Sequence, residues 1–459
     1  MTRIKNNQFF EATKEFVAYA MKILKEDNEK EFQKIKKERP TDWVGAFNYD
    51  LQHHSTGLLP IDYVVRNKEK LLQSPKFKKC EKIMQADSQI FKHIEIDVCE
   101  IEPIINRVNA WEYLSHMLRK FAISIIQFNE FQFAELYRDL EDFFYNDFVQ
   151  VAYLAPLYGF DTSLDNIKLD EDLEIRSLRS EEKWLLQNFD MYSPSNLVED
   201  NVLRTPRFII ELKIKKKKLF KPGKIIFINK SQSKVEKIQK LLTALRLFKE
   251  GAIGFPFIQP SKLIDIPIPI EGRQIKINQM PEENHGQIYH LTKEEISEFR
   301  NLWKSVDSVD YNHNLKRAVD RFNSGYRKES RGDKIIDYTI ALESLSSKEG
   351  DPKDSITYKF SVRIARLCKD IPKDRREFYD ELRELYSKRS SVVHGDTDEK
   401  LHLNKEYISH IEQISRIAIR IYLVKMLTKK YSHSDIIDEL DFDAAHLGQT
   451  DPNKAVPDE

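Results

Sequence analysis

Apolar residues recur every three to four positions through most of the chain, and this spacing predicts a mainly α fold. The segment WEYLSHMLRKFAISIIQF puts Leu114, Met117, Leu118, Phe121, Ile125 and Phe128 on one helical face, and FAELYRDLEDFFYNDF repeats the habit. Residues 1–150 therefore read as a helical N-terminal domain. Near Pro156 the period changes to two. SLDNIKLDEDLEIRSL alternates apolar and polar residues, and RFIIELKIK and GKIIFINK read as two strands joined through LFKPG, with Pro222 and Gly223 in the turn. One helix is expected in VEKIQKLLTALRLFKEG, closed by Gly251. Residues 151–300 are thus expected to form a mixed α+β middle domain.

Beyond Thr292 the helical period returns. Thr292 and Glu295 have capping-box spacing ahead of Ile296, Phe299, Trp303 and Val306. Leu315, Val319, Phe322 and Tyr326 form a stripe, and DKIIDYTIALESLSS is a second helix. A third runs from about Ser355 to Cys368, and a fourth from near Lys373 to His394 and Gly395. A fifth starts at Asn404 and carries Ile408, Ile411, Ile414, Ala418, Ile421 and Met426. The breaks between them are short, which predicts an antiparallel helical bundle over 301–445. The acidic end, 446–459, is expected to be a disordered tail.

Composition narrows the partners. The 74 Lys+Arg and 74 Asp+Glu cancel, which excludes a uniformly basic coat for gripping nucleic acid. Three cysteines, Cys80, Cys99 and Cys368, form no Cys-x-x-Cys pair, so neither a disulfide framework nor a zinc site is expected. No run approaches the ~18 to 20 apolar residues of a membrane span, and a cytoplasmic protein without membrane contact or cofactor is expected. His53 and His54, beside Trp43 and Asp50, are adjacent in sequence, share no face and lack ligand spacing, so no metal site is expected there. Trp111, Phe121 and Phe128 read as core. From Lys213 to Lys224 there are seven Lys and no acid. Lys215, Lys216, Lys217 and Lys218 are either a solvated strand edge or a salt-sensitive contact for RNA phosphates.

The segment with candidate chemistry is LYSKRSSVVHGD, which sets Arg389 and His394 five positions apart at a helix end. An imidazole takes or gives a proton near neutral pH, and a guanidinium can fork two hydrogen bonds onto a phosphate as charge gathers there. The pair suffices for metal-independent cleavage of RNA through its own 2′-hydroxyl. The spacing alone is loose: with 25 Arg and 12 His, chance predicts about two such hits, and this is the one present. On a regular helix the two side chains diverge by about 140°. Convergence needs either a helix that loosens at its end or a second copy across a two-fold axis.

The residues from about Leu315 to Leu440 resemble the Apea-like branch of the HEPN domains, whose hallmark is Arg, four to six residues, then His at the end of a bundle helix. RAVDRFNSGYR, DKIIDYTIALESL, KFSVRIARL, LYSKRSSVVHGD and a closing IIDELD stand in the family's order. The middle blocks APLYGFDTSLDNIKLDEDLEIRSLRSEE, LLTALRLFKEG and IYHLTKEE are similar too, while residues 1–150 match no known pattern. The resemblance implies a bundle that forms a homodimer with one composite site from Arg389 and His394 of both copies. It implies an endoribonuclease, with tRNA as a candidate substrate, that leaves a 2′,3′-cyclic phosphate and a 5′-hydroxyl. Such proteins serve in anti-phage defence by abortive infection or as toxins, controlled by a phage-derived trigger or an antitoxin. By the same resemblance Glu343 stands at an acidic position that orients the Arg or His, and Asp337, Arg363 and Asp396 are supporting candidates, Asp337 and Arg363 being equally readable as structural ion pairs. The alternative is a bundle that binds nucleotide, RNA or protein without cutting. Residues 1–150 are the candidate sensing or restraining domain.

Overall fold

The computed structural model describes residues 4–38, 64–93, 109–124, 128–179, 182, 206–221, 224–228, 232–262, 275–281, 287–309, 311–352, 355–369 and 374–442. These are mostly helical with a small sheet, as the apolar period predicts. Cys99, the His53–His54 pair, the Pro222–Gly223 turn and the acidic tail lie outside the described residues. The chain divides into two compact units. Unit one comprises Met1–Ala152, Lys213–Asn229 and Pro260–Arg273; unit two comprises Tyr153–Leu212, Lys230–Gln259 and Gln274–Glu459. The middle region is therefore shared between both units, and no boundary falls near residue 300.

Unit one holds α1 (Asn7–Glu38), α2 (Lys68–Leu72), α3 (Pro75–Ala86), α4 (Ser88–Phe91), α5 (Ala110–Ser124) and α6 (Glu130–Tyr145). Local chemistry sets their starts. Pro75 opens α3, where its missing N–H costs nothing, and the Ser74 hydroxyl accepts from Phe77 N at 3.1 Å. The Asn129 side chain accepts from Gln132 N at 3.1 Å ahead of α6. The core is aromatic: Phe9, Phe16, Phe77, Trp111, Tyr113, Phe133, Tyr137, Phe143 and Phe144 are buried. Edge-on pairs such as Tyr113–Phe144, 4.9 Å between centroids at 63°, match the ring quadrupoles. Trp111 is core, as its spacing predicts, and the Phe128 ring lies 5.8 Å from that of Phe133.

The strands are β1 (Phe148–Leu157), β2 (Phe160–Asp161), β3 (Asn166–Lys168), β4 (Leu173–Ser177), β5 (Phe208–Lys221), β6 (Lys224–Ile228), β7 (Phe257–Lys262), β8 (Ile275–Lys276) and β9 (Tyr289–His290). Within unit one the second half of β5 pairs antiparallel with β6, from Lys217↔Ile228 to Lys221↔Lys224. The strand order is β3-β4-β5-β1-β7-β8, and within unit two β4 meets the first half of β5 from Leu173↔Leu212 to Ser177↔Phe208. β2 and β9 form a separate parallel pair.

Unit two continues with α7 (Gln232–Phe248), α8 (Ile296–Ser308), α9 (His313–Tyr326), α10 (Arg331–Ser346), α11 (Ile356–Leu367), α12 (Arg375–Val393), α13 (Lys405–Thr428) and α14 (His433–Asp441). Asn312 and Asn404 cap α9 and α13 by accepting from Leu315 N and Tyr407 N, both at 2.8 Å. The expected box at Thr292 is only half made. Glu295 accepts from Thr292 N at 2.9 Å, but it stands at the N-cap of α8 itself and also binds Lys249. α10 sits centrally, packed against α9, α11, α12 and α13, with Ile335, Tyr338, Ala341, Leu342 and Leu345 buried. Gly325 permits this closeness, since a Cβ there would lie 2.8 Å from Tyr338 Cε1.

α7 belongs to this assembly, packing on α8 and α13. Its Arg246 is fully buried, donating to Asn323 Oδ1 at 2.9 Å, Ile253 O at 3.2 Å and Gln279 O at 2.6 Å, with Cζ 4.2 Å from the Tyr326 ring centre. Arg416 of α13 in turn donates to Arg246 O at 2.7 Å. Among the described residues no helix is long and apolar enough to cross a membrane.

Candidate active site at the end of helix α12

α12 begins where the Asp374 carboxylate accepts from Arg376 N at 2.7 Å and Glu377 N at 3.1 Å. Phe378, Leu382 and Leu385 form its buried face. The C-terminus is closed by a Schellman arrangement. Gly395, at φ +94°, lets Gly395 N reach Val392 O at 3.0 Å and Asp396 N reach Ser391 O at 3.0 Å. His394 is the C-cap, at φ −84° and ψ 2°, and its N–H is shared between Ser390 O and Ser391 O, both at 3.1 Å. Gly332, at the start of α10, packs against this end: a Cβ there would lie 2.9 Å from Val392 Cγ1 and 3.1 Å from Asp398 Oδ1.

The helix is thus regular up to Val393, and the loosening that would bring Arg389 toward His394 within one chain does not occur. The five-residue offset leaves the side chains about 140° apart. His394 is exposed. Arg389 is half-buried, one step beyond Leu385 on the buried face, and its Nε is buried with no hydrogen-bond partner among the described residues. Its Cζ lies 5.9 Å from the Tyr386 ring centre.

Tyr386 ties Arg389 to Glu343. Burial raises the Tyr386 hydroxyl pKa first, the Glu343 carboxylate raises it further, and the Arg389 guanidinium opposes both. Glu343, Tyr386 and Arg389 therefore share one electrostatic neighbourhood. Tyr386 escaped the sequence reading, although three residues before Arg389 is the spacing at which helix neighbours meet. On the His394 side, Asp396 is held below the usual carboxylate range, chiefly by a hydrogen bond from Lys400, with Ser391 and His394 adding to it.

Two other candidates are engaged elsewhere. Asp337 is buried, accepting from Arg321 Nη1 at 2.9 Å and Ser324 Oγ at 2.7 Å. Arg363 is buried between Asp351 and Asp441, donating to Asp441 at 2.7 Å through both Nε and Nη2. These are the structural ion pairs of α9–α10 and α11–α14. The lysine run divides by strand alternation. Lys215 and Lys217 are exposed, whereas Lys216 and Lys218 are buried and face away from any phosphate in solution. Among the described residues no group of three or more His, Cys, Asp or Glu could hold a metal ion.

No protein-family model matches the chain, and neither a curated protein nor a solved structure matches it.

Proposed function

We propose that the chain is a metal-independent endoribonuclease of the HEPN type, active as a homodimer. The observation that carries the reading is the capped end of α12. There an exposed imidazole follows, five residues on, a half-buried guanidinium whose Nε has no hydrogen-bond partner among the described residues. The resemblance of Leu315–Leu440 to the Apea-like branch supplies the rest.

His394 takes the proton from a ribose 2′-hydroxyl, whose oxygen attacks the adjacent phosphorus. Arg389 donates to the phosphoryl oxygens as negative charge builds, and the proton held by His394 passes to the departing 5′-oxygen. The products are a 2′,3′-cyclic phosphate and a 5′-hydroxyl. Glu343 and Tyr386 hold the Arg389 side of the site. One helix cannot bring both side chains to one phosphate across about 140°. A second copy related by a two-fold axis would place Arg389 of one chain beside His394 of the other. The class points to anti-phage defence or toxin action.

The same divergence favours a second reading, a bundle that binds RNA or nucleotide without cutting. Incubation of purified protein with total RNA in excess EDTA, followed by sequencing of 5′-hydroxyl ends, separates the two. Cleavage should persist in EDTA and vanish in both Arg389→Ala and His394→Ala, with folding and self-association intact. Cleavage that survives His394→Ala would end the ribonuclease reading.

A further inference from the structure

The face of α12 that ends at His394 carries a pattern the catalytic reading does not use. At about 100° per residue, Tyr379, Arg383, Tyr386, Ser390, Val393 and His394 fall within one arc of about 100°. No carboxylate of α12 lies in that arc; Glu377, Glu381 and Glu384 project to the far side, and Asp380 lies about 40° beyond its edge. Arg383, Val393 and His394 are exposed, and Tyr379 and Tyr386 are half-buried. Tyr358 of α11 flanks the arc, 60% exposed, its ring 6.3 Å from that of Tyr379 at 72°. Arg383 Cζ lies 5.9 Å from the Tyr379 ring centre, and Arg389 Cζ lies 5.9 Å from that of Tyr386. Aromatic rings therefore alternate with guanidinium groups along roughly 22 Å of helix, from Tyr379 to the candidate general base.

We infer that this face is a track for single-stranded RNA that feeds the α12 end. Bases stack on Tyr358 and Tyr379, Arg383 neutralises a phosphate, and the strand continues past Tyr386 to His394 and Arg389. Stacking needs unpaired bases, because a duplex keeps its ring faces covered and shows side chains only its backbone and shallow groove. An arc free of α12 carboxylates suits a polyanion, and stacking makes the track tolerant of sequence because every base has a π-face. The inference rests on the ribonuclease reading for its substrate, and it specifies unpaired segments as the part of the RNA that is held.

The test uses full-length His394→Ala protein, which binds without cutting, and a short labelled oligoribonucleotide of mixed sequence, free or annealed to its complement. Fluorescence anisotropy should show tighter binding of the single strand. Tyr358→Ala and Tyr379→Ala, added singly, should each weaken it by at least about fivefold, and Tyr379→Phe should restore affinity because the ring remains. Arg383→Ala should weaken binding and lower the slope of log affinity against log salt by about 0.7. In the cutting protein the tyrosine changes should raise KM more than they lower kcat. Unchanged binding in both tyrosine variants would overturn the track, as would equal binding of the duplex. Loss of self-association in the tyrosine variants, seen by sedimentation, would make the face a protein interface and would likewise overturn it. If wild-type protein cuts no RNA while the tyrosine variants still lose affinity, catalysis falls and the track stands. If cutting is confirmed while those variants bind normally, the reverse holds.

Discussion

Lys218 should make the stability of this protein climb with pH through the neutral range. It lies on β5 within unit one, 4% exposed, with Nζ 3.2 Å from His93 Nε2 and 4.8 Å from the Phe143 ring centre, donating to Phe143 O. Burial among these groups, with Lys92 and Lys5 nearby and only Asp147 opposing, pushes its pKa from 10.5 down to about 7. Below about pH 7 both folded and unfolded chains bind the proton, and the folded state bears the full cost of a buried ammonium. Between about 7 and 10.5 the unfolded chain holds the proton and the folded chain does not, so stability rises with pH. Above that window both are neutral and the penalty is gone. A shift of this size corresponds to about 5 kcal/mol over the whole window and about 2 kcal/mol between pH 7 and 9. Guanidinium unfolding followed by circular dichroism at several pH values should show that rise in wild type and its loss in Lys218→Met. The buried thiols Cys80 and Cys368 oppose this rise only above about pH 9: burial pushes them up to about 12, so the unfolded chain loses those protons first and stability falls there, equally in both proteins. Removing Nζ leaves Phe143 O without that donor, which offsets the whole curve without changing its slope. Parallel curves for the two proteins would refute the reasoning.

Three further outcomes follow from single contacts. Gly395→Ala meets no atom within 4 Å, so its cost is that of φ +94° alone, about 1 kcal/mol in the denaturation midpoint; an unchanged midpoint would deny the Schellman closure. Gly254→Ala puts a Cβ 2.2 Å from Gln279 O, a backbone atom that cannot turn aside, and should cost upwards of ~3 kcal/mol with loss of soluble protein; a variant of normal stability would contradict that close approach. Arg363→Ala should cost roughly 3 kcal/mol and make α14 cleave faster in limited proteolysis, because Asp351 and Asp441 lose the cation between them; unchanged protection would show that the pair does not hold α14.

What was legible in the sequence depended on how local its cause is. The stripe Leu315, Val319, Phe322 and Tyr326 announced α9, and Asn312 and Asn404 sit at caps because their side chains reach their own helix starts. Gly395 announced the end of α12 for the same reason. The lysine run misled in part, since composition does not say which face of a strand is inside, and alternation sends Lys216 and Lys218 inward. Arg246 gave no local sign that it would be buried, for its acceptors at Ile253, Gln279 and Asn323 are brought by distant segments. At the candidate site, Arg389 and His394 were legible as a pair. The regularity that keeps them apart was not, because the bonds at the helix end decide it.

The division into units also sets an order of manufacture. The chain passes from one unit to the other five times, and the last segment assigned to unit one ends at Arg273, before α8 begins at Ile296. A ribosome therefore finishes all the material of unit one before it makes α12. At about 5–20 residues per second, His394 follows Arg273 with a lag on the order of ten seconds. Whatever unit one does to the rest of the molecule, its sequence is complete before the end of α12 can exist. A truncation at residue 150 would leave residues 213–229 and 260–273 without the first segment of the unit they belong to. A clean removal of unit one has to excise three separate pieces of the gene.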